Sequence, residues 1–588
     1  MARRLSSPAF IGRTSELASL HRAADAADDA RPSLLLLGGE AGVGKSRLLG
    51  ELIADRGASG CLVLEGATVS VGAEGLPFEP IAAALRSAVR ALGRARVAEL
   101  AGPSLTDLAR LLPELAGTRD QVPLALTQAE WLQVRTFEGV LGLLGRLGAE
   151  SSVMLVIEDA HWADRSTRDL LSFLARNVRE ERLLIVVSFR TDELNRRHPL
   201  VGWLAEVERL PRVERLDLAR FDRAELAELL GGIIGTQPPA TLVDSIAARS
   251  DGNAFFAEEL VSGLDDDGAG RLPGTVREIV VARLAALPDP AARLVEIAAV
   301  AGREVDHDLL AEVAGMRDVG ILDSLRDAVA SHLLVAVTDG RQERYRFRHA
   351  LVQEAVYDDM LPSDRRQLHG AYARAISAHE PSAGSGPARS ASRLAELAHH
   401  WSAAHEPVLA LQASIEAGDA ARSAFAFAEA AGQYERATEL WDVVPAADRP
   451  HDRDLAILYD AASAMVALVG DPARAIALAE RSIDELDRRG AASTLERRAA
   501  ARERLGRAAW LAGDGARSIS ALEEAASMLA GAPPSVEHAR VQAGLAANLM
   551  LAGRVRDSAP VAAHAIELAQ AVGARDIEAH AMSTLGVD

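Results

Sequence analysis

The sequence predicts a parallel-sheet α/β domain, followed by a helical lid, a winged-helix-like domain and an α-helical solenoid of TPR-like repeats. Three observations carry that reading. Short apolar runs of buried-strand type, "PSLLLLGG", "CLVLEG", "SVMLVIED" and "RLLIVVSFR", alternate with helical spacing, the mark of a parallel sheet. The strand signal fades after about residue 215. From 393 onward the chain is Ala-rich amphipathic helix, in which Gly470, Gly513 and Gly553 recur 43 and 40 residues apart, a period suited to stacked helix pairs.

The elements follow in order. Residues 1–214 form the α/β domain: strand "PSLLLLGG", helix "SRLLGELIADRG", strand "CLVLEG", then a helical insert over about 78–150. Two further strands flank the helix "STRDLLSFLARNV", and "VERLDLARF" reads as a last strand or its exit. Residues 215–270 are the helical lid and end in a solvated acidic loop at 265–267. Residues 271–370 form the winged-helix-like domain, whose "HLLVAVTDGRQERYRFRH" fits a β-hairpin. The Pro/Gly/Ser-rich stretch places a flexible linker over 371–392. Residues 393–588 are repeats expected to continue past the chain end, so the chain is expected to be a fragment.

Composition narrows the class. A chain of 588 residues is long enough for several domains, and 49% hydrophobic with 25% charged residues describes a soluble globular protein. No apolar run approaches the roughly 18 residues a bilayer-spanning helix needs, and "MARRLSSPAF" carries no apolar core of a signal peptide. A single cysteine, Cys61, excludes an intramolecular disulfide and fits the cytoplasm; it reads as buried in a strand. A net charge of −20 argues against this chain gripping nucleic acid through its overall field.

Chemistry concentrates in "GGEAGVGKSR". Gly39, Glu40, Ala41, Gly42, Val43, Gly44, Lys45 and Ser46 satisfy G-x-x-x-x-G-K-[ST] between a buried strand and a helix, with Arg47 next. Glycines let the backbone curl so that N–H groups at a helix start face a phosphate. Lys45, the one lysine in the sequence, serves the β and γ phosphates as a compact point charge that arginine's planar fork does not replace. Ser46 offers a hydroxyl to Mg²⁺. "VMLVIEDAHWAD" then supplies Glu158 and Asp159 at a strand's carboxyl end. One acid is expected to hold Mg²⁺ and the other to polarise the attacking water, with the division open. Arg190, in "LLIVVSFRTDE", is placed to sense a γ-phosphate at the end of the following strand. The result is a P-loop NTPase that binds ATP or ADP with Mg²⁺. His161 and Trp162 read as packing around the strand end, and the His399, His400 and Trp401 run as structural.

Together "FIGRTSEL", "GGEAGVGKSRLL", "VMLVIEDAHWAD", "VVSFRTDEL", "GNAFFAEEL" and "YRFRHALVQEAVYDDM" resemble the STAND class of signalling ATPases. Within that class they are similar to the large ATP-binding LuxR-family, MalT-like transcriptional regulators. The resemblance covers roughly residues 8–370 and implies a nucleotide switch. ADP would hold a closed monomer; an inducer with ATP would permit opening and self-association, with slow hydrolysis. It implies Arg13 near adenine, Arg190 as γ-phosphate sensor and His349 at the β-phosphate of ADP. The chain departs from the family's usual residues at Thr14 and Ala254. It also shows no basic recognition helix, so DNA would be reached only through a C-terminal domain outside it, or the output lies elsewhere. An unknown inducer, a small molecule or a protein, is expected at the repeats. The alternatives are a remodelling or motor ATPase, or a nucleotide-bound scaffold that regulates a non-DNA effector.

Overall fold

The computed structural model describes residues 6–68, 77–115, 129–195, 198–262, 276–316, 318–339, 342–379, 387–490 and 493–587. It divides into two compact units, 1–406 and 407–588.

The first unit is built on a five-stranded parallel sheet: β1 (Ser33–Gly39), β2 (Leu62–Ala67), β3 (Val153–Glu158), β4 (Leu183–Ser188) and β5 (Val213–Leu218). Their order is β2-β3-β4-β1-β5. Every residue of β4 is buried, as are the first five of β3. That explains why the apolar runs do not alternate: strands covered by helices on both faces have no polar side. Burying each Val, Leu or Ile here contributes roughly 1.5–3 kcal/mol. One core joins Leu35, Leu37, Leu48, Leu52, Val156 and Val186. Cys61 stands one residue before β2 and is half-buried rather than buried in the strand.

The strand order places β4 between the phosphate-loop strand β1 and the acidic strand β3. In register, Leu36 pairs with Val187 on one side of β4, and Ile157 pairs with Val187 on the other. The carboxyl ends of β1, β4 and β3 therefore lie side by side, where ligands bind in open parallel sheets.

Helices Arg223–Ile234, Ala240–Ser250 and Ala254–Ser262 pack around Leu226, Leu230, Ile246 and Val261. The first begins at a capping box, Asp222 with Glu225, which satisfies two end N–H groups. The next domain joins helices between 276 and 378 to an antiparallel sheet of β6 (Glu304–Asp306), β7 (Leu334–Asp339) and β8 (Gln342–Phe347), ordered β6-β8-β7. The hairpin expected from "HLLVAVTDGRQERYRFRH" is present as β7 and β8, with β6 as a third short strand.

Three expected boundaries move. A limit at 214 would cut β5, which pairs with β1 through Leu218, so the α/β domain runs past that point. The linker expected over 371–392 is helical at 371–378, within the helix Pro362–Ala378, and again from Pro387. Tyr372, fully buried, donates to the Ile297 carbonyl at 2.9 Å and ties that helix to the winged-helix core. Residues 380–386 and the acidic loop at 265–267 lie outside the described residues. Finally, the solenoid unit starts at 407, not 393, because the helix Pro387–Ala403 packs against its predecessor through His369 and His400.

The second unit is a TPR-like solenoid. Among the described residues it holds nine α-helices: Pro407–Ser423, Phe427–Trp441, Leu455–Leu468, Pro472–Arg489, Leu495–Leu511, Gly515–Leu529, Val536–Leu551, Val555–Val572 and Arg575–Val587. Helix pairs turn at Gly470, Gly513 and Gly553, each with φ near +80°. A buried serine bridges the two helices of each of three pairs: Ser463 to the Ala475 carbonyl, Ser518 to Gly506 and Ser558 to Ala546. Close packing needs small residues; a Cβ at Gly506 would sit 2.9 Å from Leu522.

Candidate functional site

The phosphate loop leaves β1 at Gly39 and enters the helix Lys45–Ala58 at Gly44, whose φ is +108°. Gly42 is required for a second reason. Its φ is +79°, and a Cβ there would lie 2.8 Å from both Asn253 Oδ1 and Phe255 Cβ. The start of the helix Ala254–Ser262 grips the loop directly: Asn253 Nδ2 donates to the Ala41 carbonyl at 2.7 Å, and the Phe255 N–H donates to the Gly42 carbonyl at 3.1 Å. Glu40 pairs with Arg220 at 2.7 Å, and the Ala41 N–H donates to Asp192 at 3.1 Å.

Lys45 is buried, and its Nζ donates to the carbonyls of Gly39 (2.7 Å) and Glu40 (2.8 Å). Burial brings its pKa down to about 8, against the opposing pull of Asp159 and with a further push from Arg190. Ser46 Oγ donates to Glu158 Oε2 at 2.7 Å, so the hydroxyl and carboxylate expected to share Mg²⁺ are already adjacent. Arg47 is exposed and pairs with Glu51.

Asp159 is placed differently. Its φ of +58° turns the backbone sharply at the end of β3. Thr68 bridges to the carbonyls of Glu158 and Asp159, and the Asp159 N–H donates to Ser188 Oγ at 3.2 Å. The carboxylate is held by arginines: it accepts from Arg303 Nη1 and lies 3.8 Å from Arg190 Nε. Burial alone would raise its pKa, but Arg303 and Arg190 outweigh it and hold the group below the usual carboxylate value. Arg190 lies over the Trp162 ring at 4.8 Å and bonds Glu193 and Glu354. His161 is buried beside Asp159 and its pKa falls to about 3, so it packs as a neutral ring.

Arg13 is buried with φ +57°; it bonds the carbonyls of Val43 (3.3 Å) and Ala219 and lies over Phe221 at 4.7 Å. It braces the phosphate loop against the end of β5. His349 caps the helix Ala350–Asp359, its Nδ1 accepting from the Leu351 N–H at 3.3 Å, and it stacks on Phe255 at 4.2 Å. Burial takes its pKa to about 3.

Arg13, Lys45, Ser46, Glu158, Asp159, Arg190 and His349 all border one cavity of about 440 Å³. Lys45, Ser46, Glu158, Asp159 and Arg190 belong to its polar lining, and Phe10, Ile11, Phe221 and Leu229 to its apolar lining. Sequence reasoning missed Arg303, Arg348 and Glu258, which also line it. Glu258 and Arg348 lie inside "GNAFFAEEL" and "YRFRHALVQEAVYDDM" without having been singled out there, and no local motif marks Arg303.

Residues 9–187 match the AAA ATPase domain family. That match implies nucleotide binding; it spans β1 through most of β4 and stops short of Arg190. An uncharacterized protein of Rhizobium meliloti (strain 1021) is 24% identical over 395 residues, 61% of this chain and 36% of that protein. The chain thus spans little more than a third of that relative's length. Among solved structures, a STAND protein with a tetratricopeptide repeat sensor from Pyrococcus horikoshii aligns with TM-score 0.39 and 11% identity, over 99% of this chain and 87% of that one. The TPR-like repeats of a putative kinesin light chain from Podosopora anserina align with TM-score 0.27 and 13% identity, over 36% of this chain and 97% of that one. Among the described residues no helix is long and apolar enough to cross a membrane.

Proposed function

We propose that the chain is a nucleotide-dependent signalling switch of the STAND class, which binds ATP or ADP with Mg²⁺ at the Lys45 loop and hydrolyses ATP slowly. One observation carries this reading. The cavity that holds the phosphate loop is walled by three successive domains, the α/β domain, the lid and the winged-helix-like domain. A nucleotide bound there touches all three, so its phosphate count biases their arrangement through differential contacts.

In this reading Lys45 and the loop N–H groups of Gly42–Ser46 take the β and γ phosphates, and Ser46 with Glu158 holds Mg²⁺. An ion held there would supply neutralisation of the phosphate charge. Asp159 polarises the water, Arg190 contacts the γ-phosphate, and the apolar end beside Arg13 and Phe221 receives the base. His349, a neutral ring, contributes a hydrogen bond at the β-phosphate. The solenoid offers the surface for an inducer, and ATP permits self-association. Output through a DNA-binding domain outside this chain, and hence control of transcription, rests on the motif resemblance alone.

The test is mass by light scattering in ADP–Mg²⁺ and in a non-hydrolysable ATP analogue with Mg²⁺, with candidate inducers added. A larger assembly in the analogue alone supports the switch. A mass independent of nucleotide under every condition contradicts it.

A further inference from the structure

The two groups that would act on the terminal phosphate, Asp159 and Arg190, are both engaged by side chains of the winged-helix-like domain. Arg303 stands one residue before β6. Its carbonyl accepts from the Phe347 N–H at 2.9 Å, and the neighbouring Glu304 pairs in register with Arg346. So fixed, it donates through Nη1 to Asp159 Oδ2. Glu354 lies on the helix Ala350–Asp359, set in place by its His349 cap, and its Oε1 is 3.3 Å from Arg190 Nη1. One domain therefore presents a cation to the carboxylate and an anion to the arginine. The same domain backs both contacts with a single core that includes Val305, Phe347, Val352 and Val356.

The charges set the competition. A γ-phosphate is the anion that Arg190 would take in exchange for Glu354, and ADP has no such group. Once Glu354 is displaced, the helix that carries it and the strand edge that carries Arg303 leave together, because they share a core. Asp159 then loses Arg303, with Arg190 still 3.8 Å away, and its carboxylate can accept a hydrogen bond from water.

We propose that Arg303 and Glu354 form two opposed clasps that hold Asp159 and Arg190 out of use until a terminal phosphate displaces Glu354 from Arg190. This rests on the nucleotide-site reading above and adds the residues through which ATP is told from ADP. Arg303 and Glu354 are positioning residues; the reacting groups remain Asp159 and Arg190.

Glu354→Gln in the full chain is the direct test, since the Glu354 side chain is 42% exposed and its replacement leaves the core intact. The readout is the ratio of Kd for ADP–Mg²⁺ to Kd for a non-hydrolysable ATP analogue with Mg²⁺. The clasp predicts that the analogue tightens by about tenfold, within the usual range of coupling between sites, while ADP changes little. Arg303→Gln should raise ATP turnover at saturating ATP several-fold, and Arg303→Lys should restore the parent rate. A purely structural role moves both nucleotides by the same factor, and that result, or an unchanged ratio, overturns the proposal. Lys45→Ala separates the two failures. If it binds ATP like the parent, the nucleotide site itself is wrong; if it loses ATP while Glu354→Gln leaves the ratio unchanged, only the clasp is wrong.

Discussion

Lys45 feels the opposed charges of Asp159 and Arg190, and burial leaves its amine with a pKa near 8. Bound phosphates favour the ammonium form, so binding above that pH must take up a proton. ATP affinity is therefore expected to be flat below about pH 8 and to fall as pH rises through it. The sequence has no other lysine, so acylation read on the Lys45 peptide should titrate with a midpoint near the same pH. Asp159 answers to a different experiment. If it polarises the water, Asp159→Asn should lower turnover by about 10²–10⁴-fold with nucleotide affinity little changed. An equal loss of affinity would mean that the residue only shapes the loop. At this scale the sequence was informative wherever chemistry dictates local spacing. Gly39 through Ser46, Glu158 and Arg190 were all readable because a strand end and a helix start bring them together within short segments. Arg303 was not, since its relevance exists only once β6 is set against the end of β3, and 144 residues separate it from Asp159.

Turn glycines decide how much of the solenoid can be read. Gly470, Gly513 and Gly553 occupy the same place, two residues past the first helix of each pair, with φ of +79°, +80° and +77°. Adding a Cβ there meets nothing in space, so the penalty is conformational alone. Gly513→Ala should lower stability by about 1 kcal/mol, followed by denaturant unfolding with Trp510 fluorescence; an unchanged midpoint would contradict this. The first pair carries Phe425 at that place, with φ +60° and its ring buried. Its side chain packs well enough to offset the strain, and this hides the first repeat from a search for glycine. The all-buried strands were legible from their apolar runs, and "VERLDLARF" was readable as a last strand or its exit, yet the domain limit set at 214 cut β5. Its pattern mixes exposed charged residues with single buried ones, as befits a sheet edge.

Across the molecule, histidines register how far the first unit closes over its own junctions. His369 and His400 lie with their Nδ1 atoms 2.8 Å apart, and Tyr357 reaches His369 Nε2 at 3.0 Å. Burial first, then the neighbouring His399, lower the pKa of His369 to about 4. Burial and the adjoining histidines likewise push His400 well below its ordinary value. The folded pKa lies below the unfolded one, so below pH 6.5 the unfolded chain binds more protons. Stability should therefore fall as pH drops from about 6.5 towards 4, by roughly 1.4 kcal/mol per pH unit for each such proton. His369→Gln should flatten that slope by about one proton, and an unaltered slope would contradict the assignment. A parallel-sheet α/β domain ahead of a TPR-like solenoid was legible, whereas the limits set at 214, 371 and 393 were not. Those limits depend on which helix docks where: Tyr372 bonding to Ile297 and His400 meeting His369 are contacts over 75 and 31 residues. The central claim, that the Lys45 cavity binds nucleotide, is tested most directly by titrating ATP–Mg²⁺ into the full chain and its Lys45→Ala variant by calorimetry. Saturable binding by the parent at one site, weakened at least about tenfold in the variant, is the predicted result; equal affinity in the two, or no binding by the parent, would contradict it.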